Sequence, residues 1–127
     1  MKIFLFIGLG GFLGSVLRYY AGTWIQGRFG WYWPMGTLVV NFLGCLLIGM
    51  IFILSERGAL DQETRLMLAI GFCGGLTTFS SFSFEILNLL RNGHYFSAAS
   101  YVAFSLLFGL LGVWAGMTVI RKYWISG

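Results

Sequence analysis

The chain has 127 residues, 58% of them hydrophobic and 9% charged, where an ordinary soluble domain carries about 25% charged residues. Its four acids, Glu56, Asp61, Glu63 and Glu85, stand against eight scattered Lys and Arg, for a net charge of +4. Without a clustered basic face there is no nucleic-acid footprint, and four acids with one peripheral His supply neither a nucleophile and base pair nor a metal cluster for an enzyme.

A helix crossing a hydrocarbon core of about 30 Å needs about 20 mostly apolar residues. Four stretches qualify, roughly 3–24, 35–54, 66–90 and 96–120. The fold expected is therefore an all-α membrane protein, one four-helix transmembrane domain over residues 1–127. Lys2 and the apolar run after it imitate a signal peptide, but Arg18 sits deep in that run and no small-residue cleavage site follows, so the segment is expected to stay.

The breaks fall at Gly27-Arg28-Phe29-Gly30 with Pro34, at Ser55 through Glu63, and at Arg91-Asn92-Gly93-His94, all rich in turn formers. Trp24, Trp31, Tyr32, Trp33, Tyr95, Tyr123 and Trp124 gather near these ends, as an interfacial aromatic belt does. Alternating spans place Lys2, Arg57, Arg65, Arg121 and Lys122 on one side and Arg18, Arg28 and Arg91 on the other. That bias is a weak vote for orientation, and dual topology with two opposed copies is the expectation.

Small residues recur as Gly10-x-x-x-Gly14, Gly71-x-x-x-Gly75 and Gly112-x-x-x-Gly116, a spacing that lets helix backbones approach closely in lipid. Packing within one chain is the reading favoured for most of them. Cys45 and Cys73 lie in apolar segments without paired spacing, which argues against a disulfide framework or a zinc site.

Ionisable and amide groups inside a span are costly and mark function by default. Arg18, near the end of the first span, either anchors at the interface or draws anions into a vestibule. Asn41 lies well inside the second span with Thr37 one turn before it on the same face; its amide either bonds a neighbouring helix or presents an N–H to an anion.

The third span holds Gly71-Phe72-Cys73-Gly74-Gly75-Leu76-Thr77-Thr78-Phe79-Ser80-Ser81-Phe82-Ser83-Phe84-Glu85, a poor run for an unbroken helix. A break at this depth is tolerated only where the backbone is buried in protein or lines a cavity, and its freed carbonyls suit a cation; the hydroxyls satisfying their own helix is the alternative. Phe79 and Phe82, three apart, share a face and offer ring edges to an anion, with Ser80 and Ser81 interleaved. Glu85 is interfacial or part of a polar track, and Tyr101, Ser105 and Gly109 recur on one face of the fourth span.

Three ordered motifs, Gly11-x-x-Gly14-x-x-x-Arg18-Tyr19, Gly36-Thr37-Leu38-x-x-Asn41-x-x-Gly44 and Gly71 through Glu85, resemble the Fluc (CrcB) family of fluoride channels. The resemblance implies a multi-pass protein of the inner (plasma) membrane and an antiparallel homodimer with two fluoride pathways. It also implies a structural sodium ion at the dimer interface, held by main-chain carbonyls at Gly74 and Thr77. Asn41 is then a fluoride donor, Phe79 and Phe82 an aromatic box, Tyr101 and Ser105 a polar track ending at Glu85, and Arg18 the vestibule cation. Gly109, where family members carry a serine, and Ser81, where threonine is frequent, depart from that pattern. Composition alone does not name fluoride.

The main rival is a small dual-topology multidrug antiporter, which exchanges protons at an acid in its first helix; the first span here has none. A non-transporting assembly protein would use the glycines but leave Asn41 and the Thr77-Thr78 and serine–phenylalanine pattern idle.

Overall fold

A computed structural model describes residues 1–30 and 33–125. All regular structure among them is helical: α1 (Lys2–Phe29), α2 (Met35–Glu56), α3 (Gln62–Leu66), a π-helical stretch Met67–Cys73, α4 (Gly74–Leu76), α5 (Phe79–Arg91) and α6 (Tyr95–Ile125). Four candidate membrane spans result, Lys2–Phe29, Met35–Glu56, Gln62–Arg91 and Tyr95–Trp124. The chain is a multi-pass membrane protein.

The helices outrun the apolar stretches that announce them. Helix α1 has 28 residues, about 42 Å at 1.5 Å per residue, because hydropathy marks only the hydrocarbon-buried part while backbone hydrogen bonding continues into the interface. Arg18 is therefore well inside α1 rather than near its end. Of the expected aromatic belt, Trp31 and Tyr32 lie outside the described residues. Tyr95, Tyr123 and Trp124 are exposed near helix ends, whereas Trp33 turns inward onto Tyr101 and Phe104, with ring centroids 6.2 and 5.6 Å away.

Helix ends are closed by local chemistry. Gly58 and Gly93 adopt positive φ of 69° and 77°, the left-handed conformation that a glycine adopts without a Cβ clash. At α2 the Gly58 N–H donates to the Ser55 carbonyl (3.1 Å) and the Ala59 N–H to that of Leu54 (2.9 Å); at α5 Gly93 donates to Leu90 (3.1 Å) and His94 to Leu89 (2.9 Å). Both are Schellman closures. Asp61 caps α3 by accepting from the Thr64 N–H at 3.2 Å, and hydrogen bonding to Thr64, by its side chain first and its N–H second, holds the carboxyl below the usual aspartate range.

Two glycine seams hold the spans together. A Cβ at Gly14 would land on the Phe72 carbonyl oxygen and one at Gly10 on that of Met67, so α1 lies backbone against backbone along the π-helical stretch. Gly116 meets the Leu46 carbonyl in the same way, closing α2 on α6. The glycine motifs thus pack within one chain. The outward faces keep large apolar side chains exposed, Phe4, Phe12, Leu106 and Leu110 among them, as lipid-facing helices do.

Candidate functional site

Residues Thr77 and Thr78 are extended, with φ −89°, ψ 155° and φ −149°, ψ 118°, between α4 and α5. Two of the N–H groups that lose a helical acceptor there have a substitute. In a continuous helix the Thr78 N–H would reach back to the Gly74 carbonyl; it donates instead to Asn41 Oδ1 at 2.7 Å. The Ser81 N–H, which would serve Thr77, donates to Thr78 Oγ1 at 3.1 Å.

Asn41 returns the bond, its Nδ2 donating to the Thr78 carbonyl at 3.2 Å. One amide thus satisfies both backbone groups of one extended residue, across 37 positions of sequence. Arg18 meets one further group, donating from Nε to the carbonyl of Gly75 in α4 at 2.9 Å. Neither use follows from the Arg18 or Asn41 motif alone, since the acceptors exist only because the chain leaves the helix at Thr77. Thr77 Oγ1 donates within its own helix to Cys73 (2.8 Å).

One turn before Asn41, Thr37 Oγ1 donates to Glu85 Oε1 at 2.5 Å. Tyr101, wholly buried, donates its hydroxyl to Glu85 Oε2 at 2.7 Å. A single chain therefore brings polar groups of α2 and α6 onto one carboxylate of α5. Phe82 lies 5.3 Å from the Tyr101 ring and 5.8 Å from Phe79, whose own ring is 79% exposed. Ser80 Oγ is 3.2 Å from Thr78 Oγ1.

Two cavities flank the Asn41–Thr78 pair, and Thr78 borders both. An open one of about 780 Å³ is bordered by Arg18, Thr37, Ser81 and Glu85. The other, of about 560 Å³, is bordered by Asn41, Phe79, Phe82, Ser105 and Gly109, with Gly74 and Thr77 at its edge. The Ser105 oxygen in this second wall is buried with no hydrogen-bond partner.

The family model for CrcB-like protein, Camphor Resistance (CrcB), matches residues 5–117. The chain belongs to the CrcB family. Relatives that carry the name "Fluoride-specific ion channel FluC" span nearly its whole length. The one from Thermus thermophilus is 50% identical over 89% of each chain. That from Phocaeicola vulgatus is 48% identical over 92% of this chain and 97% of its own. That from Chloroflexus aurantiacus is 42% identical over 100% of both.

Residues outside the sequence-derived set also shape the site. Gln26 Nε2 donates to the Trp33 carbonyl (3.1 Å) and its Oε1 accepts from the Gly36 N–H (3.1 Å), fixing the entry of α2 beside the open cavity. Ending the first span at residue 24 turned Gln26 into a loop residue; an amide two residues past an apolar run was the signal. Thr78 was legible only as part of a motif, yet it connects Asn41, Ser80 and Ser81.

Proposed function

We propose that the chain is a passive fluoride-selective channel through which cytoplasmic fluoride leaves the cell, lowering its toxicity. The observation that carries this reading is near full-length kinship, at up to 50% identity, with proteins named for that activity. The polar lane beside the chain break is what such an activity needs.

Fluoride is small and tightly hydrated, so a pathway must exchange its water for donors of modest strength. In this reading the ion enters the open cavity near Arg18, passes Thr37, Ser80, Ser81 and Glu85, and then follows Asn41, Phe79, Phe82, Tyr101 and Ser105. Arg18 raises local anion concentration. The partnerless Ser105 hydroxyl and the edges of Phe79 and Phe82 stand in for water, while the second N–H of Asn41 completes the set, its first being used by Thr78. Glu85, held by two hydroxyls, repels a second anion and limits how tightly the first is held.

The third span acts as a helix broken at mid-membrane, and two copies associate as an antiparallel, dual-topology homodimer in the bilayer, with two pathways. Support comes from Gly74 and Phe79, both open to the outside of a single chain beside the break. A structural sodium ion at that interface fits the chain's own atoms, because the Gly74 and Thr77 carbonyls have lost their helical donors to Asn41 and Thr78, and unwound carbonyls are suitable sodium ligands. When bound, the ion supplies fixed positive charge without a mobile side chain.

Purified protein in liposomes, with a potassium ionophore clamping the voltage, is expected to release fluoride rapidly and chloride negligibly. No release from a folded, dimeric sample would return the antiporter to consideration, although α1 contains no acid to exchange protons. Labelling of a terminal cysteine tag from both sides of the membrane supports dual topology, and labelling from one side only sinks it.

A further inference from the structure

Cys45 and Cys73 take no part in the proposed fluoride path, yet both border the second cavity, from α2 and from the π-helical stretch. Both thiols are free. Their mutual placement follows from the helix register. Asn41 on α2 is tied to Thr78 by two hydrogen bonds. One turn further along α2 lies Cys45, and one turn back from Thr77, whose N–H donates to its carbonyl at 2.9 Å, lies Cys73. The two segments run in opposite senses, so the step that leads from Asn41 to Cys45 leads on the other strand toward Cys73.

Gly44 confirms the level: a Cβ there would run into the Thr77 methyl and come within 4.0 Å of the Cys73 carbonyl oxygen. On its other side, Cys45 Sγ stands 3.7 Å from where a Cβ of Gly109 would be, so a hydrogen at residue 109 leaves the thiol room beside the cavity. At this level Asn41 is engaged with Thr78 and Thr77 with Cys73.

We propose that Cys45 and Cys73 form a two-thiol site for a soft, thiophilic metal ion, and that its occupation plugs the fluoride path in the same cavity. Soft sulfur ligands select soft metals, and a two-coordinate ion such as mercury(II) needs no third protein ligand. Neutral mercuric chloride crosses lipid and enters such a cavity. Binding forms two Hg–S bonds, breaks two Hg–Cl bonds and two S–H bonds, and releases two protons and two chloride ions with no change of oxidation state.

The blocking effect rests on the proposed fluoride path; the metal site does not. Mass spectrometry of the whole protein treated with mercuric chloride and washed with excess glutathione is expected to retain one mercury per chain at monomer mass, with both thiols closed to maleimide after unfolding. Cys45→Ala and Cys73→Ala, each left with a single thiol, are expected to lose the metal in the same wash. Two mercury ions per chain, retention by either variant, or a mercury-bridged pair of chains would overturn the site. In liposomes, mercury is expected to cut wild-type fluoride efflux at least tenfold, with recovery on adding a dithiol, and to spare both variants relative to their own untreated rates. One tightly held mercury with undiminished efflux would keep the metal site and remove fluoride from this cavity.

Discussion

The glycine seams and the extended residues Thr77 and Thr78 between α4 and α5 both bring backbones together, by opposite means. Along α1 and the π-helical stretch, and along α2 and α6, side chains are removed so that intact helices touch. Around Thr77 and Thr78 the helix itself is given up, and side chains from elsewhere, Asn41 and Arg18, take over its hydrogen bonds. A seam made by absence tolerates no added atom. A break made by substitution tolerates no lost donor.

The largest effect expected is at a seam. Gly14→Leu sets a side chain against the Phe72 carbonyl, backbone that has nowhere to move, and overpacking of this kind costs about 3 kcal/mol or more. Reversible unfolding in mixed micelles is expected to show that loss together with a poor yield of folded protein. Gly8→Ala, with nothing within 4 Å of the added carbon, is the matched control and is expected to unfold as wild type does. Equal behaviour of the two would end the account of the seam.

Next comes Asn41→Ala, which strands the Thr78 N–H and carbonyl. An unsatisfied buried group costs about 1–3 kcal/mol, so this variant is expected to lose about that stability as well as at least tenfold in fluoride flux. A variant that loses flux at full stability would make Asn41 a pathway donor only; one that keeps both would remove it from site and break alike.

Tyr101→Phe removes a single donor to Glu85 and leaves the Thr37 donor in place. Its expected cost is about 1 kcal/mol, read by the same unfolding assay, with a partial loss of flux. The smallest effect belongs to Asp61, outside the spans. Its carboxyl is depressed by hydrogen bonding to Thr64, side chain first and N–H second, so the stabilisation is present above the ordinary aspartate pKa of about 3.9 and is lost as pH falls through the lower folded value. Asp61→Ala is expected to be marginally less stable at neutral pH and to lose this difference under strong acid; a difference that grows on acidification would contradict the cap.

Much of this was legible beforehand. Four spans followed from hydropathy, and the Gly–Thr–Thr–Phe–Ser run marked the third as unlike the others. Hydropathy did not give the helix ends, because Gln26 and Phe29 remain helical in the interface, and so Gln26 escaped notice. Nor did it give the partners of Arg18 and Asn41. Those depend on which carbonyls and N–H groups two extended residues leave exposed, a property of the fold rather than of any local pattern. The link from Thr37 and Tyr101 to Glu85 spans three helices, and periodicity could place each residue on a face without showing that the faces converge.

The central claim is passive conduction of the anion alone, and the most direct measurement is fluoride efflux from loaded liposomes before and after a potassium ionophore is added. The account predicts little release until the ionophore supplies compensating potassium current, then rapid release at a rate insensitive to an imposed proton gradient. Release without the ionophore, driven by that proton gradient, would contradict a channel and point to a coupled carrier.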